Sequence, residues 1–162
     1  MADIAEEIRR LYGKLPKFPD GRMDFSGSDT ATVVTIFVLH KGRLLLLRRS
    51  DKVSSYRGKW HIIGGYLDDL QPLRSKVLEE LREEASIAEK DIGSIDVKDV
   101  YTYTDASIRK TWITQVVVVH LKSLPEIKID WEHTEYRWIS PGELESYDVI
   151  YNLPKIMKMA LG

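Results

Sequence analysis

The stretch GGYLDDLQPLRSKVLEELREEASI, from Gly64 to Ile87, decides how this chain is read. The Gly64-Gly65 pair, at the end of an apolar run from Trp60 to Ile63, reads as a turn. A helix follows, with Pro72 in its first turn, where a missing N–H costs nothing. At about 100° per residue, Leu73, Val77, Leu78, Leu81 and Ala85 fall on the core side. Glu80, Glu83 and Glu84 share a neighbouring arc at the edge of that core. Glu79–Glu83 and Glu80–Glu84 are like-charge neighbours, each pair costing roughly 0.2–0.5 kcal/mol in an isolated helix. A solvated glutamate-rich face would account for EELREE taken alone. A helix shaped only for solubility, however, would alternate Glu with Lys. The Gly-Gly pair and the RGKW loop ahead of it favour a site, and a divalent cation held by oxygen ligands is the simplest partner for it.

Working outward, ATVVTIFVLH and RLLLLRR are two apolar runs separated by Lys41-Gly42, which reads as a hairpin. Their continuous apolarity predicts strands covered on both faces. Ser50 to Lys59 is a polar loop. Beyond the acidic helix, strands are expected over Ile95–Thr104, Thr111–Leu121 and Glu135–Ile139, then a short helix at PGELESY and a closing helix in NLPKIMKMAL. Ile4, Ile8, Leu11 and Tyr12 recur at helical spacing near the N-terminus. Pro16, Pro19, Gly21 and Gly27 then mark an irregular connection to about Thr30. Strands alternating with helices in this order predict one α/β domain over residues 1–162, a sandwich built on a mixed β-sheet. The N-terminal helix and its connection are open to two readings, a homodimer contact or a cap on the sheet.

The chain has 162 residues, 43% hydrophobic and 30% charged, which suits a globular domain with room for a core. A net charge of −1 offers no general attraction to nucleic acid or to an anionic membrane. With no cysteine, disulfides, thiolate metal sites and a Cys nucleophile are all excluded. The N-terminal MADIAEEIRRLYGK lacks the apolar core of a signal peptide, and no apolar run approaches the roughly 20 residues needed to span a bilayer. A cytoplasmic location is the expectation.

The acidic stretch resembles the box of the Nudix hydrolases, G-x5-E-x7-R-E-U-x-E-E-x-G-U, where U is a bulky aliphatic residue. Laid on Gly65, the pattern finds Glu80, Leu81, Glu83, Glu84 and Ile87 in register. The run YRGKWHIIGG, the hairpin ending LLLLRRS and the later WEHTEYRWISPGEL are also Nudix-like, so the resemblance reaches from about Thr32 to the C-terminus. It implies a Nudix-like α/β/α sandwich. Three positions depart from the pattern: Gln71 stands for the first Glu, Glu79 for the Arg and Ser86 for the last Gly. The family's Arg is held to orient the Glu that follows it. Lys76, four residues before Glu80, is the residue here that can take over that role. On that hypothesis Lys76→Ala lowers activity far more than Lys110→Ala.

By resemblance, the activity is Mg²⁺-dependent hydrolysis of the diphosphate linkage in a nucleoside diphosphate derivative, with Mn²⁺ as an alternative ion. Glu80 and Glu84 would be the principal metal ligands, Glu83 a ligand or water-activating base, and the Gly64 or Gly65 backbone a further ligand. Arg48, Arg49, Arg57 and Lys59 are candidates to hold phosphate, and Tyr56 and Tyr103 to stack on a base. Glu132 and Glu135 are candidates for a further acidic residue. His133 beside them is a candidate metal ligand or base, although a lone exposed His, as it is read here, is usually neither; His40 and His120 are read as structural, and His61 stays ambiguous. A binding or sensing module on the same fold, with catalysis weakened by Gln71 and Glu79, is the alternative. An isopentenyl-diphosphate isomerase would need a catalytic Cys, which is missing.

Overall fold

The computed structural model describes residues 3–162. Its spine is strand β1 (Thr30–His40), paired in parallel with β6 (Lys110–Leu121) from Thr30 to Leu39. The opposite edge of β1 is divided between two partners. Near its start, Val33–Ile36 pair antiparallel with β4 (Ile63–Tyr66); at its end, Leu39 and His40 pair with β2 (Arg43–Arg49). The Lys41-Gly42 hairpin is therefore real but short, with both residues at positive φ as its tight turn requires. Beyond it β2 leaves β1 and pairs with β7 (His133–Ile139) and with the two-residue β3 (Trp60–His61). Strand β5 (Ile92–Asp105) closes the far edge against β6, and the seven strands make one mixed sheet.

Continuous apolarity in β1 and β2 has the expected consequence: alternate residues serve opposite cores. Val34, Ile36, Val38, Leu45 and Leu47 pack beneath α2 (Leu73–Ala85), whereas Phe37, Leu44 and Leu46 pack with Leu153, Ile156 and Ala160 of α3 (Leu153–Leu161). An α/β/α sandwich results. The segment PGELESY forms a 3₁₀ turn, Pro141–Ser146, with a Ser140/Glu143 capping box, rather than an α-helix. The N-terminal helix α1 (Ile4–Tyr12) buries Ile4 and Leu11 and caps one edge of the fold, where Met23 and Phe25 join Ala31 and Trp112 in a third apolar cluster. None of the helices among the described residues is long and apolar enough to cross a membrane.

Gly64 and Gly65 are not a turn: both lie within β4. A Cβ on Gly64 would sit 2.6 Å from the Val34 carbonyl oxygen, and one on Gly65 would sit 2.5 Å from the Glu80 carboxylate. Gly64 is required for the close approach of the β1 backbone, and the bare Gly65 leaves the space that the Glu80 carboxylate occupies. Helix α2 then ends at Ser86, which takes the left-handed conformation (φ 58°, ψ 33°). The Ser86 N–H donates to the Arg82 carbonyl and the Ile87 N–H to the Leu81 carbonyl, so the helix end is closed as a glycine would close it.

Candidate active site

A cleft of about 760 Å³ lies against β4 and the acidic face of α2. Residues from β1, the end of β2, the Lys52–Tyr56 loop and the segment before β7 complete its walls. Glu80, Glu83 and Glu84 all face it, but differently. Glu80 and Glu84 are buried and Glu83 is exposed. Glu84 accepts a hydrogen bond from the Gly64 N–H at 3.0 Å. Burial holds its carboxyl well above the ordinary glutamate value, and the neighbouring Glu80 and Glu132 push the same way. Burial also raises Glu80, to about 7, against the opposing pull of Lys76. Two adjacent buried carboxylates resist joint ionisation unless a cation neutralises them. Among the described residues, no three His, Asp or Glu side chains are yet gathered closely enough to form a ready metal cage.

The departures from the box pattern are joined to one another. Gln71 donates through Nε2 to Glu79 at 3.3 Å, and also to Asp69 at 2.9 Å. Lys76 places its ammonium 3.2 Å from Glu79 and 3.3 Å from Glu80. Burial pulls the Lys76 ammonium down, but Glu80, Asp68 and Glu79 together outweigh it, so the group stays charged. The contact that the i,i+4 spacing anticipated is present. Lys110 serves poorly as its control, because its ammonium bonds the Phe25 and Ser28 carbonyls and fastens the N-terminal segment to β6. The exposed Lys155 is the better choice.

Of the basic candidates, only Arg49 lines the cleft. Its Nε donates to the Ser55 carbonyl at 2.9 Å, and the side chain makes no ion pair among the described residues. Burial lowers its pKa, but an arginine remains charged. Arg48 turns instead to the Gly58 carbonyl and Glu135, Arg57 to the Val53 carbonyl, and Lys59 to Asp148. Tyr103 and Tyr56 line the cleft, and Tyr56 donates to Asp105 at 2.8 Å. Glu132 is a cleft residue whose carboxyl is raised by burial and by Asp130. Glu135 lies outside the cleft lining.

The histidines sort by burial rather than by sequence context. His133, read as exposed, is buried: Nδ1 lies 3.0 Å from Asp130 and Nε2 lies 3.7 Å from Glu84. It neighbours Glu84 without a hydrogen bond to it. His120, expected in an apolar setting, is exposed beside Asp96. His40 lies against Trp138 with Nδ1 3.4 Å from the Leu121 carbonyl. His61 lines the cleft, and burial with Arg49 and His133 nearby holds it neutral.

Three cleft residues have no forewarning in the sequence pattern. Asp68 is 6% exposed and sits beside Lys76, although adjacent aspartates before a helix ordinarily read as a turn. Arg22 reaches the cleft from the N-terminal segment and lies 3.6 Å from Asp68. Trp131 stands 61% exposed at the cleft while its backbone carbonyl is held by Ser50 Oγ at 2.9 Å.

An α/β/α sandwich with an acidic helix laid on a glycine-bearing strand defines a Nudix-like protein. The NUDIX domain family model matches residues 29–158, and the chain belongs to that family. It is 27% identical over 134 residues to the nucleoside triphosphatase NudI of Escherichia coli K12, covering 79% of this chain and 94% of that protein. A MutT protein from Methanosarcina mazei superposes with a TM-score of 0.69 at 24% identity, covering 82% of this chain and 93% of the other. A bifunctional NMN adenylyltransferase/ADP ribose pyrophosphatase from Francisella tularensis gives 0.66 at 22% identity, over 97% of this chain and 45% of that one. These superpositions speak for the fold.

Proposed function

We propose that this chain binds a nucleoside diphosphate derivative in the cleft and hydrolyses its diphosphate linkage slowly or not at all. Arg49 carries the reading. A part-buried guanidinium with no carboxylate ion pair among the described residues, in a cleft that also holds Glu80, Glu83, Glu84 and Glu132, is suited to a phosphate group. Tyr103 and the exposed ring of Trp131 supply aromatic surface for the remainder of the ligand. Slow turnover follows from Gln71 and Glu79, which put an amide where the family pattern carries Glu and a carboxylate where it carries Arg.

A second reading, an efficient Mg²⁺-dependent pyrophosphohydrolase, is favoured by the raised Glu80 and Glu84 and by the relatives' name as nucleoside triphosphatases. The oxygen-only donors Glu80, Glu83 and Glu84, with the Gly65 backbone alongside, suit a hard divalent ion. When bound, such an ion would neutralise charge developing on the diphosphate oxygens. The chain's own part is to hold Glu84 by the Gly64 N–H, leaving the exposed Glu83 free to take a proton from water.

Binding and product release measured over nucleoside triphosphates, nucleotide sugars, ADP-ribose and dinucleoside polyphosphates, with and without Mg²⁺ or Mn²⁺, decide between the two. The first reading expects thermal-shift binding with little product. Rapid Mg²⁺-dependent turnover lost in Glu84→Gln but kept in the surface control Glu89→Gln would establish the second. No binding of any panel member would defeat both.

A further inference from the structure

The loop over residues 50–59 leaves and rejoins the sheet at one residue. The Arg49 N–H donates to the Lys59 carbonyl and the Gly58 N–H to the Arg49 carbonyl, each at 2.9 Å. Within the loop, the Ser55 carbonyl accepts from Arg49 Nε, and both Nη groups are left without a hydrogen bond among the described residues. The next residue, Tyr56, takes the left-handed conformation (φ 54°), which a bulky side chain rarely adopts. Such a conformation persists only where its surroundings impose it. Here they do so from 49 residues along the chain, where Asp105 Oδ2 accepts from Tyr56 Oη at 2.8 Å. Trp112 Nε1 donates to the same hydroxyl at 3.3 Å. Asp105 is buried and itself fixed, its Oδ1 accepting from the Ser107 N–H at 3.0 Å and from Ser107 Oγ at 2.6 Å. The Tyr56 ring packs against two apolar clusters, the one that holds α3 and the one that holds Leu11 of α1.

We infer that Tyr56 is a positioning residue for the ligand's phosphate. Pinned to the end of the β5–β6 hairpin, its hydroxyl sets the Ser55 carbonyl, and that carbonyl turns the Arg49 fork toward the cleft. The inference rests on the reading that Arg49 receives a phosphate. A guanidinium whose Nε is already bonded offers its two Nη groups end-on, and such a fork meets two oxygens only when its plane is fixed. Fixing that plane before the ligand arrives spares the ordering that an unanchored arginine undergoes on binding. With its hydroxyl bonded twice and its ring in the core, Tyr56 is withdrawn from the base-stacking part that its aromatic character suggests. It acts on the ligand through Arg49 alone.

The test follows the Arg49 Nε–H by ¹⁵N NMR on the full-length chain, the resonance being assigned by its loss in Arg49→Lys. In the unsubstituted protein this proton should exchange with water about tenfold more slowly than that of the exposed Arg43. Tyr56→Phe, which keeps the ring and removes the hydroxyl, should bring the two rates together. Tyr136→Phe, at an exposed tyrosine outside the cleft lining, should leave them apart. Affinity for inorganic pyrophosphate, the group common to ligands of the proposed class, should fall about tenfold in Tyr56→Phe. It should fall no further when Tyr56→Phe is added to Arg49→Gln. An Arg49 proton that exchanges as fast as that of Arg43, or a rate unmoved by Tyr56→Phe, would overturn the inference. So would a loss of affinity that persists in full beside Arg49→Gln, because Tyr56 would then touch the ligand itself. If Tyr56→Phe does not fold, Asp105→Asn, which weakens the acceptor and keeps the turn to Ser107, takes its place with the same expectation. Failure of both to fold would make the bond purely structural and overturn the inference as well. Pyrophosphate that does not bind the unsubstituted protein would count against the phosphate reading of Arg49, while the exchange rates would still decide whether Tyr56 sets its direction.

Discussion

Helices α2 and α3 cover opposite faces of one sheet, and they do so with opposite chemistry. The buried positions of α3 are Leu153, Ile156 and Ala160, all apolar. Those of α2 are Val77, Leu81 and Ala85, joined by Lys76, Glu80 and Glu84. Burying ionisable groups costs free energy that apolar residues at the same sites would not. A helix meant only to close the sandwich would look like α3. The difference separates a helix that only closes the sandwich from one whose buried face also carries ionisable groups.

The largest expected effect falls on the stabilising face. Ile156→Ala should cost about 2–5 kcal/mol in denaturant unfolding and leave ligand affinity untouched; altered affinity in a folded protein would blur the division between the two helices. Glu84→Gln keeps an acceptor for the Gly64 N–H but removes a charge. Any Mg²⁺-dependent turnover should fall by about 10²-fold or more, with the Tm in chelator held or raised; a Tm that drops sharply would make Glu84 a structural residue.

The third prediction concerns pH. Glu80 and Glu84 bind protons more tightly in the folded chain than in the unfolded one, so rising pH removes protons that favoured the fold. In chelator, stability should decline between the ordinary glutamate value of 4.5 and about 7. Mg²⁺ should flatten that decline, and Glu84→Gln should reduce it. A stability curve that rises through this window would show the carboxylates already compensated. The smallest effect belongs to the end of α2: Ser86→Gly should add roughly 0.5–1 kcal/mol by relieving the left-handed backbone. A loss there would assign more to the Ser86 Oγ–Lys128 carbonyl hydrogen bond, 3.3 Å long, than its exposure suggests.

Particular residues mark the limit of what a linear reading can reach. The apolar runs of β1 and β2 announced two covered faces, because strand periodicity and composition are local properties. The acidic arc was equally legible, since helical geometry follows from spacing alone. Gly64-Gly65 was misread as a turn, because a glycine needed for contact with Val34 and Glu80 looks the same in sequence as one needed for φ. Arg48 and Arg49 are adjacent in the chain but lie on opposite sides of a strand, so only Arg49 enters the cleft. His133 and Asp68 were hidden because their burial depends on elements distant in sequence.

The sequence by itself determined the order of elements, the two-faced sheet, the carboxylates of α2 and the family to which the chain belongs. These depend on periodicities of two and 3.6 residues and on fixed spacings, which the chain carries locally. Only the tertiary structure decided which charges from distant segments meet. It brought Asp68 to the Lys76–Glu80 pair that helix spacing anticipates, placed Arg49 on the cleft wall with no ion pair among the described residues, and buried His133 near Glu84. Long-range partners and desolvation are properties of three-dimensional proximity, and no spacing along the chain encodes them.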